Sequence, residues 1–266
     1  MEACKKIDIF NALNAEETRD VTLKCDRHGI VKTKILKVKN TWSKPACGKC
    51  FREEMKLKNL QEQQNLTQEK QQKKIDDLLA KALIPRRYKS ATLKNYSPGD
   101  KTQTHALKIC KRYVETFKIR HSEGMCLQFA GNVGTGKTHL ANAILRAVIE
   151  QYSCSALFLK ASAAVNRVNA SFNTDSQTKQ DAINALVEPD LLVLDEIEKT
   201  NDSAATKKLF FDILDARYDE IKPTIIITNL ANKELESFLG AAISSRLKEN
   251  RGLVLDFLGD DYRTKK

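Results

Sequence analysis

Between Gly131 and Thr138 the chain reads GNVGTGKT, three glycines followed by a lysine and a hydroxyl residue. Glycine lets the backbone bend so tightly that successive amide N–H groups converge on one anion. An ammonium group beside that nest neutralises further negative charge, and the hydroxyl can ligate a divalent cation. The run satisfies G-x-x-x-x-G-K-[ST] in full, between an apolar stretch and a helical pattern. Its chemistry is that of a polyphosphate with magnesium. The candidate ATP ligands are Gly131, Asn132, Val133, Gly134, Thr135, Gly136, Lys137 and Thr138, with His139 following, and Thr138 is also a candidate Mg²⁺ ligand.

A phosphate loop needs a second half. LLVLDEI ends an apolar run on Asp195 and Glu196. Asp195 is expected to hold the magnesium, directly or through water, and Glu196 to polarise an attacking water. An acid poised for water favours hydrolysis over kinase chemistry, which must exclude water. TIIITNL then delivers Thr228 and Asn229, and the Asn229 amide can reach a terminal phosphate or the lytic water.

These side chains converge only if their segments lie side by side. Five short apolar runs, 125–130, 155–160, 190–195, 224–228 and 253–257, alternate with helical patterns such as HLANAILRAVIEQY and ATKKLFFDILDARYDEI. Strands separated by helices predict an α/β fold with a parallel five-stranded sheet covered on both faces. Residues 51–84 lack glycine and proline and are dominated by Glu, Gln, Lys and Leu, which predicts a helix ending before Pro85. Its apolar stripe is Ile75, Leu78, Leu79 and Leu83.

The 266 residues carry a net charge of +11, which suits a polyanion such as nucleic acid, and 41% hydrophobic residues, enough for a core. No stretch approaches the apolar length of a membrane helix, and the start does not read as a signal peptide. Seven cysteines, an odd number, argue against a disulfide framework and for a cytoplasmic protein. Four lie in residues 1–55. Cys25-x₂-His28 and Cys47-x₂-Cys50 are separated by eighteen residues rich in β-branched side chains, a spacing that predicts a Zn²⁺ ribbon with these four ligands. Cys4 is the substitute should His28 not serve. The expected organisation is a zinc module over 1–55, a connecting helix over 56–84 and a catalytic core over 85–266.

The motifs GNVGTGKTHLANAI, LLVLDEI, IIITNL, AAISSRLKEN and FLGDDYR, with the approach segment RRYKSATLKNYSP, resemble the AAA+ ATPases. More narrowly they resemble the DnaC/DnaI-type helicase loaders and the related IstB-type transposition helpers, over roughly residues 85–266. The resemblance implies that Asn229 is the first sensor, that Arg246 is an arginine finger acting on a neighbouring subunit's γ-phosphate, and that Arg263 is the second sensor. It also implies self-association through that finger. Too few residues follow Arg246 for the helical lid that many AAA+ proteins carry.

The reading that follows is an ATPase that places a hexameric replicative helicase on single-stranded DNA, with the zinc module touching the helicase. The alternatives are an IstB-type ATPase that binds duplex DNA and recruits a transposase, and a zinc-containing nucleic-acid adaptor that uses ATP only as a switch. Direct DNA contact by the module would use Lys32, Lys34, Lys37, Lys39, Lys44 and Lys49, with Trp42 as a stacking platform. In the core, Lys160, Arg167 and Lys207-Lys208 are candidate DNA contacts.

Overall fold

The computed structural model describes residues 17–171 and 176–262 and divides into two compact units, residues up to Gln72 and from Lys73 onward. In the first unit, β1 (Glu17–Cys25) and β2 (Gly29–Val38) form an antiparallel hairpin, and β3 (Thr41–Trp42) adds a short third strand. The three-residue loop Asp26–His28 closes on Gly29, whose φ of 69° is the left-handed conformation such hairpins require. Helix α1 (Gly48–Lys81) follows. At its far end Ile75 is buried in the core of the second unit, with Leu78 and Leu79 against it. Leu83 departs from the expected stripe. The helix has ended, Leu83 sits at φ 55° and is exposed, and Ala82 and Ile84 pack inward instead.

The second unit is built on a parallel sheet of order β5-β6-β7-β4-β8. The strands are β4 (Leu127–Gly131), β5 (Ala156–Lys160), β6 (Leu191–Asp195), β7 (Thr224–Ile227) and β8 (Leu253–Phe257), the five expected runs. Uniformly apolar strands still alternate. Leu191, Val193, Ile225 and Ile227 face one core, and Leu192, Leu194 and Ile226 face the other. The first core is closed by α2 (Lys101–Glu115), α3 (Phe117–Ser122) and α4 (Lys137–Tyr152). The second is covered by α5 (Ala161–Ser171), α6 (Ser176–Val187), α7 (Ala204–Asp219), α8 (Asn232–Leu239) and α9 (Ala241–Lys248). None of the helices among the described residues is long and apolar enough to cross a membrane.

Among the described residues the largest fully buried side chain is a charged one. Arg217 on α7 is almost wholly buried and donates to the Thr224 hydroxyl and to the carbonyls of Leu186, Val187, Pro189 and Pro223, at 2.6–3.2 Å. Burial pushes its guanidinium down to about 10, and the five acceptors replace the water it has lost.

Candidate nucleotide site

Because β6, β7 and β4 are neighbours, their carboxyl ends bring Asp195-Glu196, Thr228-Asn229 and the phosphate loop to one crevice, where open α/β sheets bind ligands. The crevice holds a cavity of about 410 Å³, within the size range of small-molecule sites. The loop after β4 bends through Gly134 at φ 77° and Gly136 at φ 91°, and α4 starts at Lys137, so that the first turn of a helix, the end that favours an anion, lines the cavity. Gly136 also has no room for a side chain, since a Cβ would lie 2.5 Å from the Tyr96 ring. Tyr96 donates to the Thr135 carbonyl at 2.9 Å, so the approach segment is fastened to the loop. His139 contributes from the side, with Nε2 3.0 Å from Asn95 Oδ1 and 3.2 Å from the Thr92 carbonyl.

The C-terminal segment braces the other side. Asn132 donates through Nδ2 to the carbonyls of Leu258 and Gly259, and Tyr262 donates through its backbone to Gly134. A Cβ at Gly134 would collide with the Asp261 carboxylate. Val133 stands exposed at the rim. Arg263 lies outside the described residues, as does Cys4.

Lys137 Nζ donates to the Gly131 and Asn132 carbonyls, both at 2.6 Å, and to Asn229 Oδ1 at 3.0 Å. The Thr138 hydroxyl donates to Asp195 Oδ2 at 2.9 Å. Burial raises the Asp195 carboxyl above its ordinary value despite that bond. A divalent cation between Thr138 and Asp195 would supply the missing compensation, and these two side chains fit a Mg²⁺ site. Glu196 is bound from both sides, by Lys160 at 2.8 Å and Lys199 at 2.6 Å. Partial burial works to raise its carboxyl, and the two lysines outweigh that and lower it. Lys160 is thus engaged with Glu196 at the site, and Lys207 and Lys208 pair with Asp202 and Asp212.

Glu198 was not among the expected residues. It lies one turn past the acidic pair and accepts from both Thr228 and Asn229. The signal available was a third acid two residues after Glu196, in a turn whose path the strands do not determine.

Arg246 stands apart from this crevice. It projects from α9, pairs with Asp215 and stacks over Tyr218 with 5.0 Å between guanidinium carbon and ring centre. It lines a small cavity with Cys126 and Thr224, which lie at the amino ends of β4 and β7. A strand length, roughly 10 Å or more, separates that end from the phosphate loop. Arg246 therefore does not serve the nucleotide site of its own chain.

In the first unit the ligand atoms of Cys25, His28, Cys47 and Cys50 all lie within 4.8 Å of one another. Cys25 and Cys50 sulfurs are 3.5 Å apart, far from a disulfide and near the edge of about 3.8 Å that a tetrahedron with Zn–S bonds of about 2.3 Å requires. His28 Nδ1 faces the thiols while Nε2 meets Glu53 at 3.1 Å, the outer carboxylate that orients metal-binding histidines. Among the described residues this donor set fits zinc. The β1–β2 register puts Lys32 and Lys34 on the face opposite Lys37, and Lys37 pairs with Glu17, so the candidate DNA-contacting lysines of β2 are divided between two faces.

Comparison with known proteins agrees with this geometry. Replicative helicase loader DnaC of Buchnera aphidicola subsp. Acyrthosiphon pisum is 29% identical over 201 residues, 75% of this chain and 80% of that protein. The loader of the same name from Escherichia coli K12 is 28% identical over 178 residues, 67% of this chain and 71% of that one. A crystal structure of the DnaC helicase loader superposes with a TM-score of 0.59 at 29% identity, over 65% of this chain and 99% of that one. Residues 50–266 match the family described as IstB-like ATP binding protein, and with the phosphate loop, Asp195-Glu196 and Asn229 at the carboxyl ends of one parallel sheet, the chain belongs to that family.

Proposed function

We propose that this protein is an ATPase that loads a replicative helicase onto single-stranded DNA. The observation that carries the reading is the convergence of the phosphate loop, Asp195, Glu196 and Asn229 in one crevice of a chain whose relatives are named helicase loaders. In this mechanism the loop amides and Lys137 hold the phosphates. Thr138 and Asp195 would hold Mg²⁺, which would supply charge neutralisation at the phosphates. Glu196, freed from a lysine, takes the proton of water attacking the γ-phosphorus, and Asn229 orients that water or the phosphate. The core is residues 85–266, with Arg263 assigned as second sensor. The zinc module of residues 1–55, joined by the connecting segment 56–84, which α1 spans as far as Lys81, is assigned to the helicase contact, with Cys25, His28, Cys47 and Cys50 as zinc ligands. Six reduced cysteines among the described residues suit a cytoplasmic setting.

The assay is transfer of a partner hexameric helicase to a closed single-stranded circle, with and without ATP. Transfer that needs ATP and vanishes in Lys137→Ala supports the loader. An active ATPase that forms no helicase complex but retains duplex DNA with a transposase would replace it by the IstB-type helper.

The position of Arg246 supports action in trans, with ATP joining one chain to the next. Replacing it by alanine should leave nucleotide affinity unchanged and lower turnover by at least 10³-fold, the scale of a lost arginine finger. Equal turnover in the variant would remove the assignment. Mixing Arg246→Ala with Lys137→Ala should restore part of the rate, because each chain supplies what the other lacks.

A further inference from the structure

We propose that Glu198 is a positioning residue for Asn229, fixing which end of that amide faces the phosphate loop. This rests on the ATPase reading above. Asparagine is nearly symmetric in shape, so its two amide orientations are distinguished only by the partners they meet. Here both ends are committed. Asn229 Nδ2 donates to Glu198 Oε1 at 2.5 Å, and Asn229 Oδ1 accepts from Lys137 Nζ at 3.0 Å. The reverse orientation would set an NH₂ against an ammonium and an oxygen against a carboxylate, two repulsive contacts at these distances. Charge-assisted bonds of this kind are about twice as strong as neutral ones. The second carboxylate oxygen, Oε2, accepts from the Thr228 hydroxyl at 2.9 Å, and Thr228 Oγ1 accepts in turn from the Leu230 amide. Glu198 therefore grips two consecutive residues at the end of β7, with no rotamer left free.

The geometry places this carboxylate behind the asparagine, so its effect on the reaction passes through Asn229. Glu198 also lines the nucleotide cavity, where its negative charge opposes phosphate binding. A residue that weakens ground-state binding while holding another in reactive orientation has a distinctive kinetic signature. Removing it slows the chemical step and leaves binding equal or tighter.

The test compares Glu198→Ala and Glu198→Gln with wild type, measuring ATP affinity by calorimetry and hydrolysis by phosphate release. In Glu198→Ala, kcat should fall roughly 100-fold, the scale of a displaced reacting group, with KM unchanged or lower. Glu198→Gln keeps an oxygen for Asn229 and should stay within about threefold of wild type. Adding Glu198→Ala to Asn229→Ala should slow that variant no further, since both act through one amide. The assignment is overturned if Glu198→Ala keeps wild-type kcat, if affinity and kcat fall together with the melting temperature, or if the two substitutions add. Wild-type protein that binds ATP without hydrolysing it under any partner condition overturns the ATPase reading first, and the assignment with it.

Discussion

Glu196→Gln should bind ATP as wild type does and lose turnover by roughly 10²–10⁴-fold, the contribution of a positioned general base. The residue is costly to keep where it is. Its backbone sits at φ 57°, ψ 48°, a left-handed conformation that costs a non-glycine residue roughly 1–3 kcal/mol. That conformation lets Asp195 end β6 buried beside Thr138 while Glu196 turns to the crevice and to Lys160 and Lys199. Glutamine keeps the shape and one acceptor oxygen but takes no proton, so single-turnover hydrolysis with pre-bound ATP isolates the defect. The lysine bonds carry a pH dependence with a definite sign. They lower the Glu196 carboxyl below its ordinary value, so their stabilisation is present at neutral pH and is lost as pH falls through the lowered value. Undiminished turnover in Glu196→Gln would transfer the base role to another acid of the crevice.

Extraction of zinc should unfold the first unit and spare the second. Among the described residues before Ile75, Ala46 and Cys47 are the only buried apolar side chains, so apolar burial cannot hold the hairpin to the start of α1. A structural zinc contributes about 10 kcal/mol or more to such a module. Purified protein should contain about one zinc per chain. A strong chelator, or Cys47→Ser, should then expose the segment before Gln72 to protease while the core keeps its cooperative melting and its ATP affinity. Metal-free protein that retains a protected hairpin would remove the zinc assignment.

The sheet was legible because its strands are buried on both faces, and TIII or LLVLD can hardly sit anywhere else. The placement of the phosphate loop, Asp195, Glu196 and Asn229 followed, since the loop begins where β4 ends and the three side chains lie within two residues of a strand end. Residues whose meaning depends on a tertiary partner stayed hidden. ARYDE reads as a solvated helix face, yet Arg217 is interior, because the carbonyls it satisfies come from segments distant in sequence. Glu198 reads as one more surface acid until Thr228 and Asn229 are placed beside it. Leu83 kept the helical spacing of Ile75 and Leu79, but one turn of left-handed backbone took it out of register.

The bracing of the phosphate loop by residues 257–262 has a consequence for synthesis. Asn132 and Leu258 are 126 positions apart, so the loop emerges from the ribosome long before the segment that holds it. β4 likewise waits for β7 and β8, both of its neighbours in the sheet. Until β8 and the residues after it dock, Asn132 and Gly134 lack the partners that brace the loop. Any nucleotide held at this loop would therefore be held by chains whose sheet is already finished.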